Sequence, residues 1–116
     1  MTSIVLKPWG SYKVLEQGKN YTVKKIIIKP NGKLSLQSHQ HRSEHWIVVK
    51  GEAEVTLDNK VKILKINENI FIPIKKKHTI ANNKEEDLII IEVWFGDHLD
   101  ENDIIRYDDI YGRITK

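Results

Sequence analysis

Apolar and polar residues alternate along this chain in short stretches, with turn residues at close intervals. That period of two predicts strands. Residues 20–29 read as one long strand, ended by Pro30-Asn31-Gly32. Further strands are expected over 33–38, over 44–50 with Gly51 turning the chain, and over 52–57. Asp58-Asn59 then makes a tight hairpin, and 60–66 returns with Val61, Ile63 and Ile66 apolar among lysines. Residues 69–72 run into Pro73, and 78–82 precede a polar loop over 83–87. Leu88 to Phe95 is apolar except for Glu92, which predicts a strand buried on both faces. Helical periodicity is absent until residues 100–111, where Asp100 reads as the N-cap of one short helix or turn. About eight or nine short strands with close turns predict an all-β sandwich or barrel. Small barrels hold their ligands in the mouth or lumen.

The length of 116 residues suits a single domain over 1–116. There is no cysteine, so any metal must be held by histidine and carboxylate. The net charge is +3, and the densest basic cluster, Lys75 to Lys77, is three residues long. Nucleic-acid binding is therefore not expected. No apolar stretch approaches the ~20 residues of a membrane helix. The start, MTSIVLKPWG, carries no leader pattern. A cytoplasmic location and no membrane partner are the expectations.

Gly32 to Gly51 reads GKLSLQSHQHRSEHWIVVKG. His39 and His41 are two apart, which in a strand puts both rings on one face, a good start for a divalent cation. Glu44 and His45 follow, and alternation lets only one of them face the same side. His98 lies in a polar stretch and is expected at the surface.

This segment resembles the first cupin motif: a glycine, H-x-H, and a glutamate seven residues before a closing glycine. Pro73 to Asn82, with His78 inside it, resembles the second cupin motif. Two positions depart from the pattern. The spacer between His41 and Glu44 is one residue short, so Glu44 and His45 both stand for the carboxylate position. Lys75 stands where the second motif normally has glycine. The whole chain resembles the C-terminal domain of type II mannose-6-phosphate isomerases, which in that family is commonly fused to mannose-1-phosphate guanylyltransferase. KPWGSYKVLEQG, LSLQSHQHRSEHWIVVKGEAEV, IFIPIKKKHTIANN and IIRYDDIYGR carry the resemblance. No glycine-rich nucleotide loop occurs, so guanylyl transfer by this chain alone is not expected.

The resemblance implies a cupin barrel with a short C-terminal helix or turn, and interconversion of mannose 6-phosphate and fructose 6-phosphate. It implies one divalent ion on His39, His41, Glu44 and His78. Zinc is the default, with iron, cobalt, nickel and manganese open. Gln37, on the same face as His39, is a further candidate for the ligand position or for contact with the substrate. Glu92 interrupts an apolar strand, where a carboxyl should be raised toward neutrality, so it is a candidate base. His45 is a second. Arg106 is the first candidate for the phosphate, with Arg42, Arg113 and Tyr111 beside it. Trp46 and Trp94 read as core packing, and Lys7 to Gly10 as a cover for one barrel end. A homodimer is expected, since pairing hides strand edges, and a separate guanylyltransferase is a candidate partner. The alternatives are a non-catalytic cupin that binds a sugar phosphate or nucleotide sugar, and another cupin enzyme such as an iron-dependent dioxygenase or sugar-nucleotide epimerase.

Overall fold

A computed structural model describes residues 3–112. Every regular element among them is a strand: β1 (Ile4–Lys7), β2 (Gly10–Gln17), β3 (Tyr21–Ile28), β4 (Leu36–Ser38), β5 (Ser43–Lys50), β6 (Ala53–Leu57), β7 (Lys60–Leu64), β8 (Asn69–Ile72), β9 (His78–Ala81), β10 (Leu88–Phe95) and β11 (Ile105–Asp108). They form two sheets, β1-β2-β3-β10-β5-β8 and β11-β4-β9-β6-β7. All their pairings are antiparallel.

The expected alternation sets which side chains face inward. In β3 the buried residues are Thr22, Lys24, Ile26 and Ile28, and in β5 they are Glu44, Trp46 and Val48. Ile28, Trp46, Val48, Leu88 and Ile90 of one sheet share a core with Val55, Leu64 and Ile80 of the other. Burying an aliphatic side chain of this kind contributes about 1.5–3 kcal/mol, so these layers hold the sheets together. At one end the apolar packing gives way to buried polar side chains.

One expectation needs correction and two others are sharpened. β10 is buried on one face only: Leu88, Ile90, Glu92 and Trp94 point inward, while Ile89, Ile91 and Val93 are half-buried and Phe95 is exposed. It lies between β3 and β5 in an antiparallel sheet that nothing covers on its outer side among the described residues, so one face stays open. In β7 it is Leu64 that enters the core; Val61 and Ile63 are exposed, because this edge strand pairs only with β6. Of the helix or turn expected over residues 100–111, the structure shows the turn. Asp100 caps the amide of Asn102 in a turn, and Ile105–Asp108 joins β4 as a strand. The pairing with β4 overrides a weak helical signal.

The segment from Lys7 to Gly10 is the turn of a β1–β2 hairpin. Trp9 is buried there, and its carbonyl accepts a hydrogen bond from the Lys29 amide at 3.0 Å. Gly10 has a φ of 150°, and a Cβ on it would collide with the Ile27 carbonyl. The close approach of β2 to β3 therefore requires glycine.

Candidate metal centre and its pocket

The polar end of the core is a pocket of about 200 Å³. β5 brings Glu44 and Trp46 to it, β10 brings Glu92 and Trp94, β9 begins with His78, and β4 contributes Gln37. His39 follows β4 directly. His39, Glu44 and His78 are all buried, and their ligand atoms lie within 4.8 Å of one another.

Both imidazoles are held by backbone carbonyls. His39 Nδ1 lies 2.7 Å from the Asp103 carbonyl, and His78 Nδ1 lies 2.9 Å from the Lys76 carbonyl. A carbonyl only accepts, so both Nδ1 atoms carry the proton and both Nε2 atoms turn inward. His78 Nε2 is buried with no hydrogen-bond partner, 3.9 Å from Glu44 Oε1. His39 Nε2 lies 3.0 Å from Glu44 Oε2 and 3.3 Å from Arg42 Nη2, which can only donate. Lone pairs and carboxylate oxygens converging on one point, with each ring pinned from behind, is the donor set of a divalent cation. The cluster could hold a metal ion. The turn before β9 supports it: Lys75 takes a φ of 70°, and its amide donates to the His39 carbonyl at 2.8 Å. Left-handed backbone there is why glycine is usual at that position.

Glu44 is ionised. Burial pushes its carboxyl up, but His39, Arg42 and His78 pull it well below the ordinary value. Arg42 Nε donates to Glu44 Oε2 at 2.8 Å, and Trp46 Nε1 to Oε1 at 3.0 Å. Glu92 goes the other way. Burial, then the charge of Glu44 and a hydrogen bond to it, hold its carboxyl well above the ordinary value. Trp46 Nε1 and Trp94 Nε1 donate to its two oxygens at 2.8 and 2.7 Å. Two buried carboxyls are thus pushed apart: one charged, one keeping its proton.

The structure separates the remaining candidates. His41 is exposed, with its ring 5.3 Å from that of His98, outside the cluster. It drops out of the ligand set because the chain leaves β4 after Ser38, so the two-residue spacing no longer means one face. His45 also drops out as ligand and as base. It alternates with Glu44, is exposed, and pairs with Asn69 at 3.0 Å on the outer face of the sheet. Arg42 is buried with its donors engaged by Glu44, His39 and the Asp100 and Asp103 carbonyls, and its Cζ lies 3.5 Å over Trp94. It positions Glu44 rather than reaching for substrate. Tyr111 packs against the core, and its hydroxyl accepts from the Lys33 amide at 3.3 Å, away from the pocket. Arg106 lines the pocket from β11, opposite Gln37. Gln37 is buried there, its amide donating to Ser35. Arg113 lies outside the described residues.

Sequence reasoning missed Tyr12, Lys24, Glu101 and Asp103. Alternation was the signal for Lys24, which shares the inward face of Ile26 and Ile28. Asp103 had no local signal. Its carboxylate accepts from the amides of Gln40 and His41, each at 2.9 Å, and its carbonyl holds His39. Burial pushes the Asp103 carboxyl up, but those two amides bring it below the ordinary value. Asp103→Ala keeps that carbonyl but releases the two amides that place it, so it should weaken divalent-ion binding by up to the roughly 10–100-fold that loss of an outer partner costs. Competition with a chromophoric chelator measures it, and unchanged affinity would leave Asp103 a turn former only.

Residues 1–109 match the family model described as Mannose-6-phosphate isomerase C-terminal. The chain is 50% identical over 112 residues to the alginate biosynthesis protein AlgA of Pseudomonas aeruginosa, covering 97% of this chain and 23% of that protein. It is 46% identical over 110 residues to the mannose-1-phosphate guanylyltransferase ManC of Salmonella typhimurium, covering 95% and 23%. The chain thus spans 23% of the length of these relatives. Among solved structures it superposes on an RmlC-like cupin from Shewanella frigidimarina with a TM-score of 0.73 and 21% identity, over 82% of this chain and 84% of the other. That likeness fixes the fold as a cupin, and the match over nearly its whole length makes this chain a member of the mannose-6-phosphate isomerase C-terminal family.

Proposed function

We propose that the chain is a metal-dependent aldose–ketose isomerase that interconverts mannose 6-phosphate and fructose 6-phosphate. The observation that carries the reading is the meeting, in one pocket, of the His39–Glu44–His78 donor set with a second buried carboxyl, Glu92. Family membership supports it. The reaction moves a proton between C1 and C2, so it needs an electrophile at the two oxygens and a group that takes and returns the proton. A divalent ion on His39, Glu44 and His78, zinc by default, would supply the electrophile when bound.

The chain supplies the rest. Glu92 is aimed by two tryptophan N–H groups and holds its proton more firmly than an ordinary glutamate, which makes its ionised form the stronger base. Trp9, Trp46 and Trp94 wall the pocket and limit water. Lys7, Lys24, Arg42 and Arg106 line it as well, so its charge favours an anionic sugar.

The test is turnover of mannose 6-phosphate, followed as fructose 6-phosphate formed. Activity should vanish on chelation and return with zinc, cobalt, manganese or iron. No turnover with any of them would sink the isomerase. A second reading has its own support: one relative is named a guanylyltransferase, and this chain spans 23% of it. On that reading the chain is a non-catalytic cupin that binds a sugar phosphate or nucleotide sugar beside a guanylyltransferase. Binding without turnover would favour it.

A further inference from the structure

Lys24 is 3% exposed on the inner face of β3, where its neighbours Ile26 and Ile28 are aliphatic. Its Nζ lies 3.6 Å from the centroid of the Trp94 ring and 4.1 Å from that of Tyr12. A buried ammonium requires an anion, and a buried ion pair is seldom the most stable filling for such a position. The carboxylate in contact with its Nζ comes from outside the core. Glu101 Oε2 sits 2.5 Å from Lys24 Nζ, and Tyr12 lines the same pocket beside them. Yet the Glu101 side chain is 53% exposed and belongs to a turn between β10 and β11, outside both strands. A fixed, deep cation is therefore matched by a surface-loop carboxylate that dips into the pocket.

The place of Lys24 on the sheet gives this pairing a meaning. Lys24 is the register partner of Glu92, and Glu92 is the register partner of Trp46, beside Glu44. The inner face thus runs from the ammonium through the candidate base to the metal cluster, across two strand spacings or roughly 10 Å. That is the scale of a six-carbon chain with a charged group at the end remote from C1.

We propose that Lys24 and Tyr12 form an anion subsite for the phosphate monoester of the ligand, and that the Glu101 carboxylate occupies it until that phosphate displaces it. The choice of phosphate rests on the sugar-phosphate reading above. A dianion competes well with the single charge of Glu101, because Lys7 and Arg106 line the same pocket. Glu101 lowers the apparent affinity by the fraction of time it holds the subsite.

Inorganic phosphate is the probe, titrated calorimetrically into the full chain at matched divalent content. Glu101→Gln, a change on an exposed loop, should bind phosphate about three- to tenfold more tightly than the parent. The gain should vanish when Lys24→Met is added, and unphosphorylated mannose should bind no differently in any variant. Tyr12→Phe serves if the lysine variant does not fold, and should remove part of the gain. Equal phosphate affinity in the parent and Glu101→Gln, or a gain that survives Lys24→Met, overturns the proposal. Turnover of mannose 6-phosphate is read separately. Phosphate binding that follows Glu101 and Lys24 in a chain without turnover upholds the subsite and sinks the isomerase. Turnover with phosphate binding indifferent to both does the reverse.

Discussion

His78→Ala should strip the chain of its divalent ion, whereas His41→Ala should leave the ion content at one per chain. His78 presents a buried Nε2 with no hydrogen-bond partner among the described residues, 3.9 Å from Glu44 Oε1, and its Nδ1–H is fixed on the Lys76 carbonyl. Removing a primary donor costs more than the 10–100-fold that follows loss of an outer partner. Its pKa has the same logic. Burial pulls the His78 imidazolium below its ordinary value, against the opposing charge of Glu44, so the ring is neutral and ready to ligate at neutral pH. His41 lies in solvent against His98. Metal analysis of dialysed protein checks both variants. Full occupancy in His78→Ala would remove it from the ligand set, and loss of the ion in His41→Ala would mean that the loop re-folds around the metal.

Such a contrast could not be drawn from the motif. H-x-H says that two rings share a face only while the chain stays extended, and here it leaves β4 at Ser38. Where the backbone remained a strand, alternation was enough. It put Glu44 inside and His45 outside once the register of β5 was known, and it carried Glu92 to the inner face of β10. The strand pattern was most legible for the same reason in β3, β5 and β10, where buried positions alternate with more open ones. The parts that were not legible depend on contacts distant in sequence. Asp103 steadies a loop 62 residues away, and Glu101 reaches a lysine 77 residues away. The tail carries acids at spacings that suit a helix turn, yet pairing with β4 decides its conformation. Arg42 looked like a free cation because nothing local shows that Glu44, His39 and Trp94 enclose it.

Glu92→Gln should lower kcat for the isomerisation by roughly 10²–10⁴-fold, the usual worth of a positioned base, while the divalent ion stays bound. Glu92 is absent from the His39–Glu44–His78 donor set, so ion content separates loss of the base from loss of the metal. Stability against pH gives a second readout. Burial and Glu44 raise the Glu92 carboxyl well above its ordinary value of 4.5. Between that value and the raised one, the folded ion-free chain keeps a proton that the unfolded chain has released. This contribution to stability is present in full below the ordinary value and is lost as pH rises through the folded one. Glu44, held low, contributes with the opposite sign: its share is present above the ordinary value and is lost in acid. His78 opposes Glu92 here, because the share of a ring held neutral by burial is lost as pH falls from 6.5 toward its lowered value. The Glu92 proton therefore adds a downward component to the urea midpoints of the ion-free parent as pH rises from the ordinary carboxylate value toward neutrality, and Glu92→Gln should remove that component. The glutamine also offers one acceptor oxygen where the carboxyl offered two, so with that oxygen on Trp94 the Trp46 N–H is left with Glu44 Oε1 alone, at a small cost. That cost lowers the midpoint by a similar amount at every pH, so the slope alone reports the lost proton. A Glu92→Gln variant with full kcat and an unchanged slope would make Glu92 a structural acceptor for the two indoles. The proton transfer would then have to be assigned to another group in the pocket.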